Sequence, residues 1–350
     1  MFAHDATRIQ ELLHTGTIRH LGRISHLCAR IVKIVIVTPE APRSTLGNAV
    51  TANRWAGILR ELGHHVVVAI EWVSGADGEC DLLIALHARR SYPSVERFHR
   101  TQPRFPLIVA MTGTDLYGDL PAGNPEAERS IELATRIVVL QEAGPEGLPE
   151  PMRPKVSVIC QSAVAPAPPR PPRQDCLEVC VLSHLRDVKD PLLAANAARL
   201  LPDESRVRIV HAGRALNSDW EAAAREQERK NPRYEWVGDQ PHDQAMYLLS
   251  GSRYLVLSSL MEGGASVIAE AVVCGVPVLC SRIPGNIGML GLNYRGYFEP
   301  RDLGGLAEKL RFAEACPSMH EDLGRDIRAL QPRFFPQQER ASWHQLLAGL

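Results

Sequence analysis

Two glutamates carry the strongest chemical signal in this 350-residue chain. Glu262 and Glu270 lie in Met261-Glu-Gly-Gly-Ala-Ser-Val-Ile-Ala-Glu270, just after the apolar run Tyr254-Leu-Val-Leu-Ser258. That run reads as a buried strand, Gly263 and Gly264 as a turn, and the residues from Ala265 onward as a helix. The first carboxylate then falls at a strand's C-terminal end and the second about two helical turns further on. In an open α/β sheet, the crevice beyond the strand ends is where ligands bind. Glycines let backbone N–H groups approach a ligand closely, and a helix N-terminus at Ala265 and Ser266 favours an anion such as a diphosphate. Two carboxylates flanking that anion suit two diols, one on a sugar ring and one on a ribose. The plainer alternative is a strand, a turn and a helix with surface glutamates.

Other groups of the same kind sit at predicted strand ends. Leu182-Ser-His-Leu-Arg-Asp-Val-Lys-Asp-Pro191 supplies His184, Arg186 and Lys189. Cations at a helix start oppose the helix dipole unless an anion sits among them. Val210-His-Ala-Gly213 and Val237-Gly238-Asp239 add strand-end glycines. The first half of the chain carries basic loops with Arg43, Arg54, Arg89 and Arg90, and His87 precedes the Arg pair in Leu86-His-Ala-Arg-Arg-Ser91. Thr112-Gly-Thr-Asp115 follows another strand. Adjacent guanidinium groups suit a small, multiply charged anion. Each feature has an ordinary counterpart: a solvated basic loop, a structural histidine at 87, a turn or helix cap at Asp115.

The elements that must position these groups alternate regularly. Strands are expected at Lys33–Val37, His65–Ala69, Asp81–Leu86, Leu107–Ala110 and Arg136–Leu140, with one more before Gln161. A helix from Ala49 to Leu62 ends at Gly63, so the fold opens as strand, helix, strand. Ala165 to Arg173 is proline-rich and cannot join a central strand or a helix interior. The pattern then restarts, with strands at Leu177–Leu182, Arg206–His211, Tyr234–Val237, Tyr254–Ser258 and Val276–Cys280, and helices at Pro191–Leu201 and Trp220–Lys230. The expected organisation is an N-terminal extension (1–30), a first Rossmann-like domain (31–164), a Pro-rich linker (165–174), a second Rossmann-like domain (175–334) and an amphipathic C-terminal helix (335–350).

Composition narrows the classes. A formal net charge of −1 recruits neither nucleic acid nor an anionic membrane, and 5% aromatic residues argue against base-stacking platforms. The longest apolar runs are strand-sized. Eight cysteines form no Cys-x-x-Cys pair and read as reduced thiols in a cytoplasmic protein.

The second half resembles the donor domain of GT-B glycosyltransferases, in particular the large group whose motif is Glu, seven residues, Glu. The resemblance implies an α/β chain of the GT-B class, two doubly wound Rossmann-like domains facing a central cleft, with 31–164 the acceptor-side domain, 175–334 the nucleotide-sugar-binding domain and the helix 335–350 crossing back to the first domain. Lys189 matches the family Lys that neutralises the leaving diphosphate, while His184 stands in place of the family Arg, with Arg186 two residues on. The implied catalytic residues are Lys189, Arg186 and Glu262. The implied donor contacts are His184, Gly238, Gly263, Gly264, Ala265, Ser266 and Glu270. Ser281-Arg-Ile-Pro-Gly-Asn-Ile-Gly288 falls where relatives carry Gly-Gly-x-x-Glu, yet has Gly285 and Asn286 and no acid, which suggests a changed donor sugar or acceptor.

A narrower resemblance joins five segments: Thr38-Pro-Glu-Ala-Pro-Arg-Ser-Thr-Leu-Gly-Asn48, Ile84 to Ser91, Thr112 to Tyr117, His184 to Pro191 and Arg282 to Gly291. Together they are similar to the selenosugar synthases of bacterial selenoneine biosynthesis, over about residues 31–348. This implies an enzyme that joins a UDP-sugar, of UDP-GlcNAc or UDP-glucose type, to selenophosphate through a carbon–selenium bond. It implies acceptor contacts from Arg43, Gly47, Asn48, His87, Arg89, Arg90, Thr114 and Asp115. Neither cofactor nor metal is expected, and no Asp-x-Asp signature occurs. The expected partners are the two substrates, without nucleic acid or membrane. The alternatives are a conventional GT-B enzyme acting on a hydroxyl acceptor and a non-catalytic nucleotide-sugar-binding protein.

Overall fold

The computed structural model describes residues 31–41, 44, 46–75 and 80–350; the extension 1–30 and Arg43 lie outside the described residues. Two six-stranded parallel sheets organise the molecule. The first contains β1 (Lys33–Val37), β2 (His65–Ala69), β3 (Leu82–Leu86), β4 (Leu107–Ala110), β5 (Arg136–Val139) and β6 (Val156–Val158), in the order β2-β1-β3-β4-β5-β6. The second contains β7 (Leu177–Leu182), β8 (Val207–Ala212), β9 (Tyr234–Gly238), β10 (Tyr254–Leu257), β11 (Val278–Ser281) and β12 (Tyr297–Phe298), in the order β12-β11-β10-β7-β8-β9. Helices cover both faces, so the central strands are unbroken apolar runs; all five residues of β3 are buried.

Each sheet reverses its winding once. The reversal lies between β1 and β3 in the first sheet and between β7 and β10 in the second. Loops at these two places diverge and leave a crevice at the strand C-termini. The segments that follow β7 and β10 carry Lys189 and Glu262, and those that follow β1 and β3 carry Glu40 and Arg90.

Local departures from the sequence expectation have local causes. The last central strand of the second sheet starts at Val278 and not at Val276, because Pro277 has no N–H for the ladder; its carbonyl accepts from Leu255 N at 2.9 Å. The helix expected over Pro191–Leu201 is regular only over Leu193–Ala198, with turns at either end. No helix among the described residues is long and apolar enough to cross a membrane.

The chain passes between the two sheets twice, and the passages are tied together. Ala163 N donates to Phe334 O at 3.0 Å. The final helix, Pro336–Ala348, then packs on the first sheet, where Trp343, Leu346 and Leu347 join Ile34, Ile36, Trp55 and Leu59. Trp55 and Trp343 meet edge to face, ring centroids 4.9 Å apart. Within this core the buried Glu339 carboxylate accepts from Trp55 Nε1 (3.0 Å), Ser162 N (2.8 Å) and Ser162 Oγ (2.6 Å). On the other side of the crossing, Arg170 N donates to Ser250 Oγ at 2.9 Å and the Arg170 guanidinium pairs with Glu178, so the end of the proline-rich segment is held to the second domain.

Replacing Glu339 by Ala leaves the Trp55 and Ser162 donors buried without an acceptor. Loss of a hydrogen-bonded charged group costs about 1.5–3 kcal/mol per bond, less what water entering the site restores. The expected outcome is a loss of about 3 kcal/mol in unfolding free energy, read from urea titration. An unchanged midpoint would show that this carboxylate does not hold the crossing.

Candidate active site

Lys189 reaches the cleft from a short 3-10 turn, Asp187–Lys189, closed by Asp190 in the left-handed region (φ 42°). The end of β10 grips that turn. Ser258 Oγ donates to the carbonyls of Lys189 (3.0 Å) and Asp190 (2.8 Å), and Leu260 N donates to Val188 O (2.8 Å). Trp220 Nε1 adds a bond to Asp187 Oδ1 at 2.9 Å. The result is that Lys189 Nζ pairs with Glu262 Oε1, both side chains largely shielded from solvent. Beyond Glu262 the helix Ser266–Cys274 begins, and its N-cap Ala265 supplies no side-chain acceptor. Its first N–H groups therefore have no side-chain cap, at the end of the loop whose Glu262 holds the Lys189 ammonium group.

Glu270 lies within that helix, its side chain 12% exposed, and Oε1 is 3.0 Å from His242 Nε2. This hydrogen bond raises the His242 pKa above the usual histidine value, against burial and the opposing charge of Arg54. Gly238 has φ 74° and its carbonyl accepts from Gly213 N at 2.8 Å, which keeps the ends of β8 and β9 together. His184 Nδ1 accepts from Arg214 N at 3.1 Å, and Arg186 is exposed with no ion pair among the described residues.

On the facing domain the sequence-predicted acceptor residues fall into two kinds. Asp115 is fully buried. Its Oδ1 accepts from the backbone N–H groups of Thr112 (2.8 Å), Gly113 (2.9 Å) and Leu116 (3.0 Å), and Oδ2 from Ala88 N (2.8 Å). Wholly buried and bound to four backbone N–H groups, this carboxylate builds the loop and presents no exposed oxygen to the cleft. The same holds for His87, which is buried with φ 71°; Nε2 is 3.0 Å from Thr114 Oγ1, and Nδ1 is 3.4 Å from Arg90 N. Burial pushes its pKa below the usual histidine range even though Asp115 is near. The Arg90 N–H makes Nδ1 the acceptor, which leaves the proton on Nε2 to bond Thr114.

Exposed groups line the cleft around this base. Thr114 and Gly47 are exposed, and Gly47 opens the helix Gly47–Glu61. Asn48 donates to Glu40 Oε1 at 3.3 Å. Arg90 pairs with Glu40 at 3.0 Å and Arg89 with Asp119 at 3.1 Å, with about half of each Arg side chain in solvent. Glu40 and Asp119 were not identified as site residues from sequence, and they neutralise much of the basic character read there. Their signal was weak: one lies in a loop beside Pro39, the other a single turn beyond Asp115.

The two domains meet backbone to backbone. A Cβ on Gly263 would lie 2.4 Å from Thr112 C, and one on Gly113 (φ 120°) would lie 2.5 Å from Gly263 N. Gly264 packs against Leu140 in the same way. Gly285 lets the helix Pro284–Leu290 press on the Glu262 carbonyl, where a Cβ would come within 2.0 Å. Asn286 is turned inward, donating to Ser281 O at 2.9 Å, so this loop shapes the cleft through its backbone.

Paired parallel sheets with a crevice at both switch points are the architecture of GT-B proteins. The fold is GT-B. Residues 169–329 match the family model described as Glycosyl transferases group 1. The chain is 31% identical over 156 residues to O-antigen chain mannosyltransferase B of Escherichia coli, a stretch covering 42% of this chain and 38% of that protein. The chain thus matches less than half the length of that relative. Among solved structures, Anabaena HepE in complex with UDP and glucose superposes with a TM-score of 0.69 at 16% identity, covering 91% of this chain and 100% of that one. Sucrose-phosphate synthase from Thermosynechococcus elongatus gives 0.70 at 16% identity, covering 91% and 98%. At these identities the likeness is one of fold.

The glycine contact between the GT-B domains generates a direct test. Gly263→Ala forces the Glu262 loop away from Thr112 by an ångström or so, and a shift of that size at a reacting centre costs up to about 100-fold in rate. Turnover should fall at least about tenfold while circular dichroism keeps its native shape and the thermal midpoint drops by no more than the few degrees expected of about 1–3 kcal/mol of overpacking. Full activity in Gly263→Ala would mean that the two loops need not touch.

Proposed function

We propose that this chain transfers a glycosyl group from a UDP-sugar to selenophosphate, forming a carbon–selenium bond. The observation that carries the donor half is the Lys189–Glu262 pair at the β7/β10 switch point, beside the uncapped helix at Ser266. A diphosphate there meets an ammonium group and free backbone N–H groups, while Glu262 and Glu270 remain to accept from hydroxyls on the sugar and the ribose. HepE, of the same fold, was solved with UDP and glucose. The acceptor half rests on the sequence resemblance and on the facing loops.

In the proposed reaction a selenium lone pair attacks C1 of the sugar. The bond from C1 to the diphosphate oxygen breaks, and UDP departs with the electron pair. Lys189 and the Ser266 helix N-terminus stabilise the charge that grows on UDP, and Arg186 extends the same positive edge. Arg89 and Arg90 would bind the phosphoryl oxygens of selenophosphate, exchanging Asp119 and Glu40 for the incoming anion. The selenium nucleophile is already anionic and needs no general base. That fits a platform in which His87 and Asp115 are buried and hydrogen-bonded within the loops. The product keeps its phosphoryl group on selenium until a later hydrolysis.

The identity to a mannosyltransferase favours a second reading, transfer to a sugar hydroxyl. The two separate in one assay: incubate the protein with UDP-glucose or UDP-GlcNAc, with selenophosphate, with a sugar acceptor such as mannose, or with neither, and follow UDP release and products by mass spectrometry. UDP release that depends on selenophosphate, with a selenium-containing sugar, supports the proposal. Release that depends only on a sugar acceptor overturns it in favour of the second reading.

Within the proposed reaction, Lys189→Ala should lower kcat by about 100-fold or more and raise the donor KM only a few-fold, because leaving-group charge peaks at the transition state. Purely weakened binding would remove Lys189 from the chemical step. Arg89→Ala combined with Arg90→Ala should raise the selenophosphate KM about tenfold or more, the loss expected from two charge-assisted contacts in a half-exposed site, with UDP affinity retained. Equal loss of UDP affinity would assign these arginines to the fold.

A further inference from the structure

Glu270 does not stand alone in its corner of the cleft. Its Oε1 is held by His242 Nε2 at 3.0 Å, and among the described residues Oε2 takes no hydrogen bond. His242 is the first residue of the helix His242–Gly251 and follows Gly238, the strand-end glycine, by four positions. The ring is largely in solvent, its side chain 71% exposed, so it buries little area and contributes little to the core. An exposed imidazole fixed on a nearly buried carboxylate at the mouth of a binding crevice orders that carboxylate before a ligand arrives.

We propose that His242 is a positioning residue for the nucleoside of the donor: it holds one oxygen of Glu270 so that the other faces a ribose hydroxyl. The inference rests on the donor-site reading above. A glutamate side chain loses up to about 1.5–2 kcal/mol of rotamer entropy when it is ordered. If His242 orders it in the empty protein, that cost does not fall on nucleotide binding.

The charges around the ring also define a pH response. Glu270 on the helix Ser266–Cys274 favours the imidazolium, Asp243 on the same helix as His242 adds to this, and Arg54 on the facing helix Gly47–Glu61 opposes it. The net effect is a pKa raised above the ordinary value of 6.5. Below that raised value the bond joins an imidazolium to the Glu270 carboxylate, two opposite charges. As pH rises through it, the proton is lost and the bond weakens to that of a neutral imidazole. The hold on Glu270 is therefore strongest on the acid side.

The test is a mutant–ligand cycle on the full chain, with calorimetric affinities for UDP and 2′-deoxy-UDP. Wild type should bind UDP about tenfold more tightly than the deoxy analogue, which is one hydrogen bond to a charged group. In His242→Ala that ratio should collapse to within about threefold, with the loss falling on UDP and not on the analogue. His242→Gln keeps an N–H donor and should restore most of the ratio, and the advantage of wild type over it should shrink from about pH 6 to about pH 8.5. A full ratio in His242→Ala overturns the proposal, as does equal weakening of both ligands, which marks a merely structural effect. Failure of the donor reading looks different: wild type then binds neither ligand. Thermal midpoints of the variants, expected to match wild type because the ring is exposed, confirm that folded protein is being compared.

Discussion

The geometry of this molecule depends on two backbones touching where side chains would not fit. Gly113 of the first domain and Gly263 of the second lie so close that a Cβ on either would collide with the other's main chain. Main-chain contact of this kind admits no soft adjustment, because neither partner has a flexible end to move aside. It fixes the distance between the Glu262 loop and the Thr112 loop, and through them the width of the cleft. Everything placed on those loops is thereby placed relative to the other domain.

Each loop is made rigid by one buried polar group. On the first domain Asp115 gathers four backbone N–H groups from two segments, after β3 and after β4, and makes them one platform. On the second domain Ser258 binds two carbonyls of the turn that carries Lys189. Both are single residues beyond strand ends that tie the loops of neighbouring strands, Asp115 those after β3 and β4 and Ser258 those after β7 and β10, the second pair flanking a switch point. The charged groups exposed to the cleft are then presented by stiff backbone: Lys189 and Glu262 on one side, Arg89 and Arg90 on the other. The far side of the molecule is closed by Glu339 and the last helix, which bond the two chain crossings to one another.

The cleft is electrically more balanced than its Arg content suggests. Arg89 and Arg90 have Asp119 and Glu40 beside them, and Lys189 has Glu262. Pairs of this type keep an empty anion site from repelling itself apart, and each acid is a replaceable partner for a phosphoryl or hydroxyl group. Such an arrangement favours ligands that carry both negative charge and hydroxyls, as a nucleotide sugar does.

Much of this was legible in the chain. Unbroken β-branched runs spaced by helical stretches specify parallel strands, since only a sheet covered on both faces can bury every residue of a strand, and the Glu262–Glu270 spacing with its glycines marks a strand-loop-helix anion site. Lys189 was visible as a cation at an awkward place for one. The partners were not. Asp119 and Glu40 look like ordinary surface acids, His242 like a solvated histidine, and Asp115 and His87 like cleft ligands, because sequence carries residue type and local spacing but not which way a side chain turns. That direction is decided by contacts between segments 25 to 75 residues apart, such as Ala88 with Asp115 and Lys189 with Glu262. The sequence by itself determined the α/β class, the doubled parallel sheet and the strand-loop-helix segment that carries Glu262 and Glu270, all of which follow from periodicity and chain punctuation. Only the tertiary structure decided which polar groups face the cleft and which are consumed in building it, because burial and hydrogen-bond satisfaction are properties of packed segments and not of any one of them.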